Sequence, residues 1–264
     1  MLVNAKRSRK AKTVARCNFR GGQPPFFVSG FVAVIYKGVT TILFLHGWGG
    51  NADSFAPISQ YFARGYLVLA PRLPCPPANV YTMEDYADDV DRYLYEHQVT
   101  RCVVVAHSFG ARVVAILNAR HPKLFTQIII TGGAGLKPRW RLRVWLKIRW
   151  HKLCRRLGWQ TQGGSADYRR LDVNGKKTFQ NIINRDLTPE IKQITAPVLL
   201  IWGSRDRDTP PEMMHRWGRL LPHANQVLYR GKGHFAYLED AARFIRDVRD
   251  FIREDPGVGG GDAV

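Results

Sequence analysis

Six apolar runs of strand length recur along the chain: TTILFLHG (40–47), YLVLAPR (66–72), RCVVVAHS (101–108), FTQIIITG (125–132), PVLLIWGS (197–204) and NQVLYRGKGH (225–234). They are close to continuous rather than alternating, which predicts strands buried on both faces. Segments with helical spacing lie between them, and parallel pairing requires crossovers of that kind. The pattern therefore predicts an α/β fold, a mostly parallel sheet flanked by helices on both sides.

Several helix starts are written locally. Thr82, followed by Glu84 and Asp85, supplies a cap and first-turn acids for MEDYADDVDRYLYEH, where the helix dipole favours negative charge. A second helix runs from Gly110 through Asn118, and EDAARFIRDVRDFI (239–252) predicts a final amphipathic one.

The strand rhythm pauses over 135–190, where nine Lys or Arg and no acid fall between 137 and 156. This divides the chain into a basic N-terminal arm (1–24), a first core part (25–134), an inserted basic helical cap (135–190), a second core part (191–254) and a Gly-rich flexible tail (255–264). On a wheel from 142 to 157, Leu142, Trp145, Leu146, Trp150, Leu153 and Leu157 share one face, with Arg149 and Arg156 intruding.

Composition refines this picture in two ways. At 264 residues and 45% hydrophobic content the chain can bury one good core. Its 40 Lys and Arg against 21 Asp and Glu give a formal +19, which favours anionic partners and says nothing of fold. Weak association with an anionic membrane surface, through Trp and Leu of the cap, is one expectation. No zinc finger, helix-turn-helix or RNP pattern accompanies the charge, so specific nucleic-acid binding is not expected. Cys17, Cys75, Cys102 and Cys154 are widely spaced without a C-x-x-C pair, pointing to a reducing compartment. The N-terminal arm has seven basic residues but no apolar run of signal-peptide length, so the expected location is cytoplasmic.

The candidate chemistry sits where buried strand 101–107 meets the next helix. Ala106, His107, Ser108, Phe109 and Gly110 fit the G-x-S-x-G nucleophile elbow, with Ala in place of the first Gly. So tight a turn strains its central residue and tolerates only small residues two positions away. HGWGG (46–50) follows the first strong strand; the backbone N–H groups of Trp48 and Phe109 are the candidate oxyanion donors. WGSRDRDTP (202–210) and GKGHFAYLE (231–239) place Asp206 and His234 in loops after successive strands. Loops at the carboxyl ends of parallel strands open on one edge, so Ser108, Asp206 and His234 can converge there.

These motifs together resemble the α/β-hydrolase superfamily, over roughly residues 25–134 and 190–252. The resemblance implies Ser108 as nucleophile, His234 as general base and then acid, and Asp206 as the group orienting the imidazole. Asp208 is the rival acid, but the spacing from Trp202 to Pro210 matches the family at Asp206. A serine rather than an aspartate at the elbow favours acyl transfer to water from a small-molecule ester, with lactones within range. His46, Gly47 and His107 flank the proposed site as candidates for its substrate-facing wall, and Trp140 and Trp145 as candidates from the lid. Histidines in such turns also commonly pack or hydrogen-bond. No cofactor is implied and no metal-ligand spacing is present. The opposing expectation is a non-catalytic protein that grips anionic surfaces on the same fold.

Overall fold

The computed structural model describes residues 40–137, 168 and 170–253. The N-terminal arm, the Trp-rich stretch carrying Trp140 and Trp145, and the tail lie outside them. In chain order the elements are β1 (Thr41–Leu45), a 3-10 turn (Ala52–Phe55), α1 (Ala56–Phe62), β2 (Leu67–Leu69), α2 (Met83–Glu96), β3 (Cys102–His107), α3 (Gly110–Arg120) and β4 (Phe125–Thr131). There follow α4 (Val173–Asn184), α5 (Thr188–Ile191), β5 (Val198–Gly203), α6 (Pro211–Leu220), β6 (Asn225–Tyr229), α7 (Ala236–Glu239) and α8 (Ala241–Arg253).

The six strands form one sheet in the order β2-β1-β3-β4-β5-β6, parallel throughout. Why the apolar runs do not alternate is now visible. Leu43, Leu45, Val104, Ala106, Ile128 and Ile130 face one cluster with α2 and α3 residues, while Ile42, Phe44, Val103, Val105 and Ile129 face a second cluster with α1 and α8 residues. Both sheet faces are covered, so successive side chains are all buried. β1, β3 and β5 are buried at every position. The edge strand β6 carries three exposed residues of five.

Two details differ from or sharpen the sequence pattern. The Thr82 start of α2 is a full capping box: Asp85 N–H donates to Thr82 Oγ1 at 3.2 Å and Thr82 N–H to Asp85 Oδ2 at 2.7 Å. The final helix breaks at Asp240, whose backbone leaves the helical region (φ −147°, ψ 61°), so α7 and α8 are separate.

The chain leaves β1 toward β2 on one side, while everything from β3 onward builds on the other. The switch point lies between β1 and β3, and ligands of open α/β sheets bind outside the carboxyl ends of the strands at such a point. The HGWGG turn and Ser108 sit there.

Candidate active site

Ser108 follows the last residue of β3 and adopts φ 48°, in the left-handed region that L-residues other than Asn and Asp rarely enter. Backbone bonds hold it there: its N–H donates to Thr131 O at 3.0 Å, and its carbonyl accepts from Ala134 N–H at 3.0 Å and Ala111 N–H at 3.2 Å. Gly110 permits the turn because a Cβ there would stand 2.4 Å from Leu45 O, so α3 rests against the backbone of β1. Ala106 is fully buried between Leu45 and Ile130 in register, and its methyl packs into the core.

Asp206 and His234 form a directed pair. His234 Nδ1 lies 2.8 Å from Asp206 Oδ2, with the carboxylate side chain fully buried and the imidazole 12% exposed. Asp206 Oδ1 accepts from Asp208 N–H and Thr209 N–H, both at 2.9 Å, and the Thr209 hydroxyl lies 2.8 Å from Oδ2. Each carboxylate oxygen thus has two partners, which fixes its plane. Asp208, the rival acid, is exposed and contributes its backbone N–H. Ligand atoms of Asp206, Asp208 and His234 lie within 4.8 Å of one another, but with the Asp206 oxygens occupied in this way the group is a hydrogen-bond network rather than a cation cage.

The His234 loop is fastened to the end of β5. Arg205 N–H donates to Lys232 O at 2.8 Å and Ser204 N–H to Tyr229 O at 3.0 Å, and Gly203 lets the loop in: a Cβ there would meet Gly233 O at 2.1 Å. Glu239 accepts from Gly233 N–H at 2.9 Å. Gly132, the residue after the one that binds Ser108 N–H, would bring a Cβ within 3.2 Å of the His234 ring. The His107 and His234 ring centroids are 4.6 Å apart. These contacts bring the turn that bears Ser108 and the loop that bears His234 to the same edge of the sheet.

The HGWGG turn closes the third side. A Cβ on Gly47 would lie 2.7 Å from His107 Nδ1 and 3.4 Å from Ser108 Cβ, so this turn runs directly against the elbow. The Gly47 carbonyl accepts from His46 Nδ1 at 2.8 Å and Gly50 N–H at 3.1 Å. A trans peptide points its N–H opposite to its C=O, so those two bonds turn the Trp48 N–H away from the His46 side. Among the described residues, the backbone N–H groups of Trp48 and Phe109 have no acceptor.

His46 and His107 do not form a substrate-facing wall. They are 1% and 2% exposed. His46 donates from Nδ1 to Gly47 and accepts at Nε2 from Leu73 N–H at 3.0 Å; His107 Nε2 bonds His234 O at 3.1 Å, its ring packed on Phe235 and Tyr237. Burial holds both imidazoles neutral, lowering His46 and taking His107 down to about 3. They tie the 46–50 turn to Leu73 and the end of β3 to the His234 loop. Gly47 is buried against His107 and Ser108, and Trp140 and Trp145 lie outside the described residues. Sequence reasoning missed Thr209, although it stands inside the quoted Asp206 motif. It also missed Phe179, which packs on Trp48, and Arg112, a buried cation donating to Ile182 O at 2.8 Å and Arg185 O at 3.1 Å.

A sheet with this switch point, a strained serine turn and an imidazole-carboxylate pair on the same edge defines a class of fold, and comparison with known proteins gives it a family. The model of the α/β hydrolase family matches residues 42–247, and the chain belongs to that family. It is similar to the uncharacterised hydrolase YugF of Bacillus subtilis, 26% identical over 254 residues covering 82% of this chain and 91% of the relative. It is also similar to the strigolactone esterase RMS3 of Pisum sativum, 30% identical over 112 residues, 39% of this chain and 42% of that one. Among solved structures, an esterase from Exiguobacterium antarcticum superposes with a TM-score of 0.65 at 16% identity, over 82% of this chain and 93% of the other; that likeness is one of fold. Among the described residues, no helix is long and apolar enough to cross a membrane.

Proposed function

We propose that the protein is a serine hydrolase that cleaves carboxylic esters, lactones included, through an acyl-enzyme. The observation that carries this reading is the 2.8 Å pair of Asp206 and His234 on the same sheet edge as a serine held at φ 48°. In the proposed cycle Ser108 Oγ attacks the acyl carbon while His234 Nε2 takes its proton. Asp206 keeps the proton of His234 on Nδ1 and stabilises the imidazolium. The carbonyl oxygen, now an oxyanion, receives the N–H groups of Trp48 and Phe109. Collapse expels the alcohol, protonated by His234, and water then repeats the sequence on the acyl-enzyme to release the acid.

An ester substrate is favoured because a relative is named a strigolactone esterase and because a serine nucleophile with an imidazole base suits acyl transfer to water. The test is release of p-nitrophenol from short acyl esters by the full chain, together with labelling by a fluorophosphonate. Ser108→Ala is expected to lower turnover by several orders of magnitude and to abolish labelling. Equal turnover by that variant refutes the reading.

A second reading, a non-catalytic protein that grips anionic membrane surfaces, is favoured by the +19 charge. Steeply salt-sensitive binding to anionic vesicles without ester turnover or labelling supports it over the first.

A further inference from the structure

Both proposed oxyanion donors belong to aromatic residues whose rings touch, and that contact is continued by a helix from outside the sheet. The Trp48 ring meets Phe109 edge to face, centroids 5.6 Å apart, and on another side meets Phe179 of α4, again at 5.6 Å. The Phe179 ring is backed by Tyr168 at 5.6 Å. Resting on the ester-hydrolase reading, we propose that Phe179 is a positioning residue: it clamps the Trp48 ring against Phe109 and so holds the Trp48 amide where the oxyanion forms.

The turn needs such a clamp because of its composition. Trp48 has Gly47 before it and Gly49 and Gly50 after it, Gly49 at φ 74°, and glycines widen the conformations a turn can reach. The hydrogen bonds to the Gly47 carbonyl hold one end of the Gly47–Trp48 peptide, and the Cys75 thiol lies against the Gly49 amide. The other end of that peptide is the Trp48 Cα, and its place is set by what the indole packs against. Phe109 is one side of that packing and follows the nucleophile directly. Phe179 is the other.

A clamp is only as firm as its mount, and α4 is mounted along its middle and at its carboxyl end. Thr178, fully buried, accepts from Tyr81 N–H at 2.9 Å, and Asn181 donates to Tyr81 O at 3.1 Å. At the carboxyl end Arg112, from the helix that follows Ser108, donates to two terminal carbonyls. The nucleophile's helix and the oxyanion turn are thereby tied to the same element. Edge-to-face ring pairs have a preferred geometry that an aliphatic side chain does not reproduce.

The experiment uses the full chain. Ester turnover that is lost in Ser108→Ala establishes the reading beneath the proposal; its absence defeats that reading and leaves the clamp to be judged by exchange alone. Phe179→Ala is expected to lower kcat about tenfold with KM within about twofold, less than the 10²–10³ lost when an oxyanion donor is removed outright. Phe179→Tyr, which keeps the ring, is expected to stay within about twofold of wild type. Independently of any substrate, amide exchange at Gly50, whose N–H closes the turn on Gly47 O, should quicken at least about fivefold in Phe179→Ala while amides of β4 remain unchanged. If Phe179→Ala fails to fold, Phe179→Leu serves for the same comparison. A raised KM at unchanged kcat would make Phe179 a pocket wall and overturn the proposal, as would unaltered Gly50 exchange.

Discussion

Replacing Asp206 with Asn separates the role of its charge from the role of its shape. The carboxylate accepts two backbone N–H bonds at Oδ1 and faces His234 Nδ1 and the Thr209 hydroxyl at Oδ2. An amide has one acceptor end and one donor end, so it must mismatch somewhere. With its NH₂ toward Oδ1, two N–H donors lose their acceptor in a buried site, at about 1–3 kcal/mol each, or about 2–6 kcal/mol together. With its NH₂ toward Oδ2, the Thr209 hydroxyl can still donate to Gly132 O at 2.9 Å, but His234 Nδ1 must become the acceptor, the proton moves to Nε2, and no base is left for Ser108. The second orientation costs less folding energy and is the one expected. The variant should therefore lose about 10³–10⁴ in kcat/KM, the scale set by the tautomer error in a Ser-His-Asp triad, with stability changed by less than about 2 kcal/mol. Esterase rates with p-nitrophenyl acetate and urea unfolding measure the two effects. Asp208→Asn, at an exposed position, should stay near wild type in both. Activity within tenfold of wild type in Asp206→Asn, or a larger loss in Asp208→Asn, refutes the assignment of the acid.

Two further outcomes concern stability. His107 is neutral when folded down to about pH 3, against an ordinary 6.5, because burial disfavours its charge. Below pH 6.5 the unfolded chain binds a proton that the folded one refuses, so stability is full above 6.5 and falls with pH at up to about 1.4 kcal/mol per unit, or about 2 kcal/mol between pH 7 and 5. Buried His46 acts in the same direction. Urea midpoints at the two pH values check this, and His107→Gln should flatten the slope. At Ser108 the positive φ predicts an order: Ser108→Gly no less stable than wild type, since glycine escapes a left-handed penalty of about 1–2 kcal/mol, and Ser108→Val clearly less stable. Thermal melting that places Val above Gly contradicts the strain.

What the sequence made legible follows the range of the interactions. The six strands and the start of α2 could be read because their causes lie within a few residues: continuous apolar runs, and Thr82 with Asp85. Ser108, Asp206 and His234 could be placed on one edge because parallel strands send their following loops the same way. His46 and His107 were legible as residues but not as to direction, since the partners that turn them inward, Leu73 and His234, lie 27 and 127 residues away. Phe179 and Arg112 carried no local signal at all; a lone Phe at helical spacing and a cation in an apolar helix take their meaning from packing across the insertion. The break at Asp240 was missed because the apolar period runs on past it.

A Cβ at Gly203 would stand 2.1 Å from the Gly233 carbonyl and 2.4 Å from that of Lys232, which leaves no room for a side chain at the strand end. The loops that bear Asp206 and His234 therefore ride on a single welded unit, main chain against main chain, with no adjustable filler between. On the other side of Ser108, α4 and the tryptophan turn meet through side-chain rings instead, so that junction can be repacked one residue at a time.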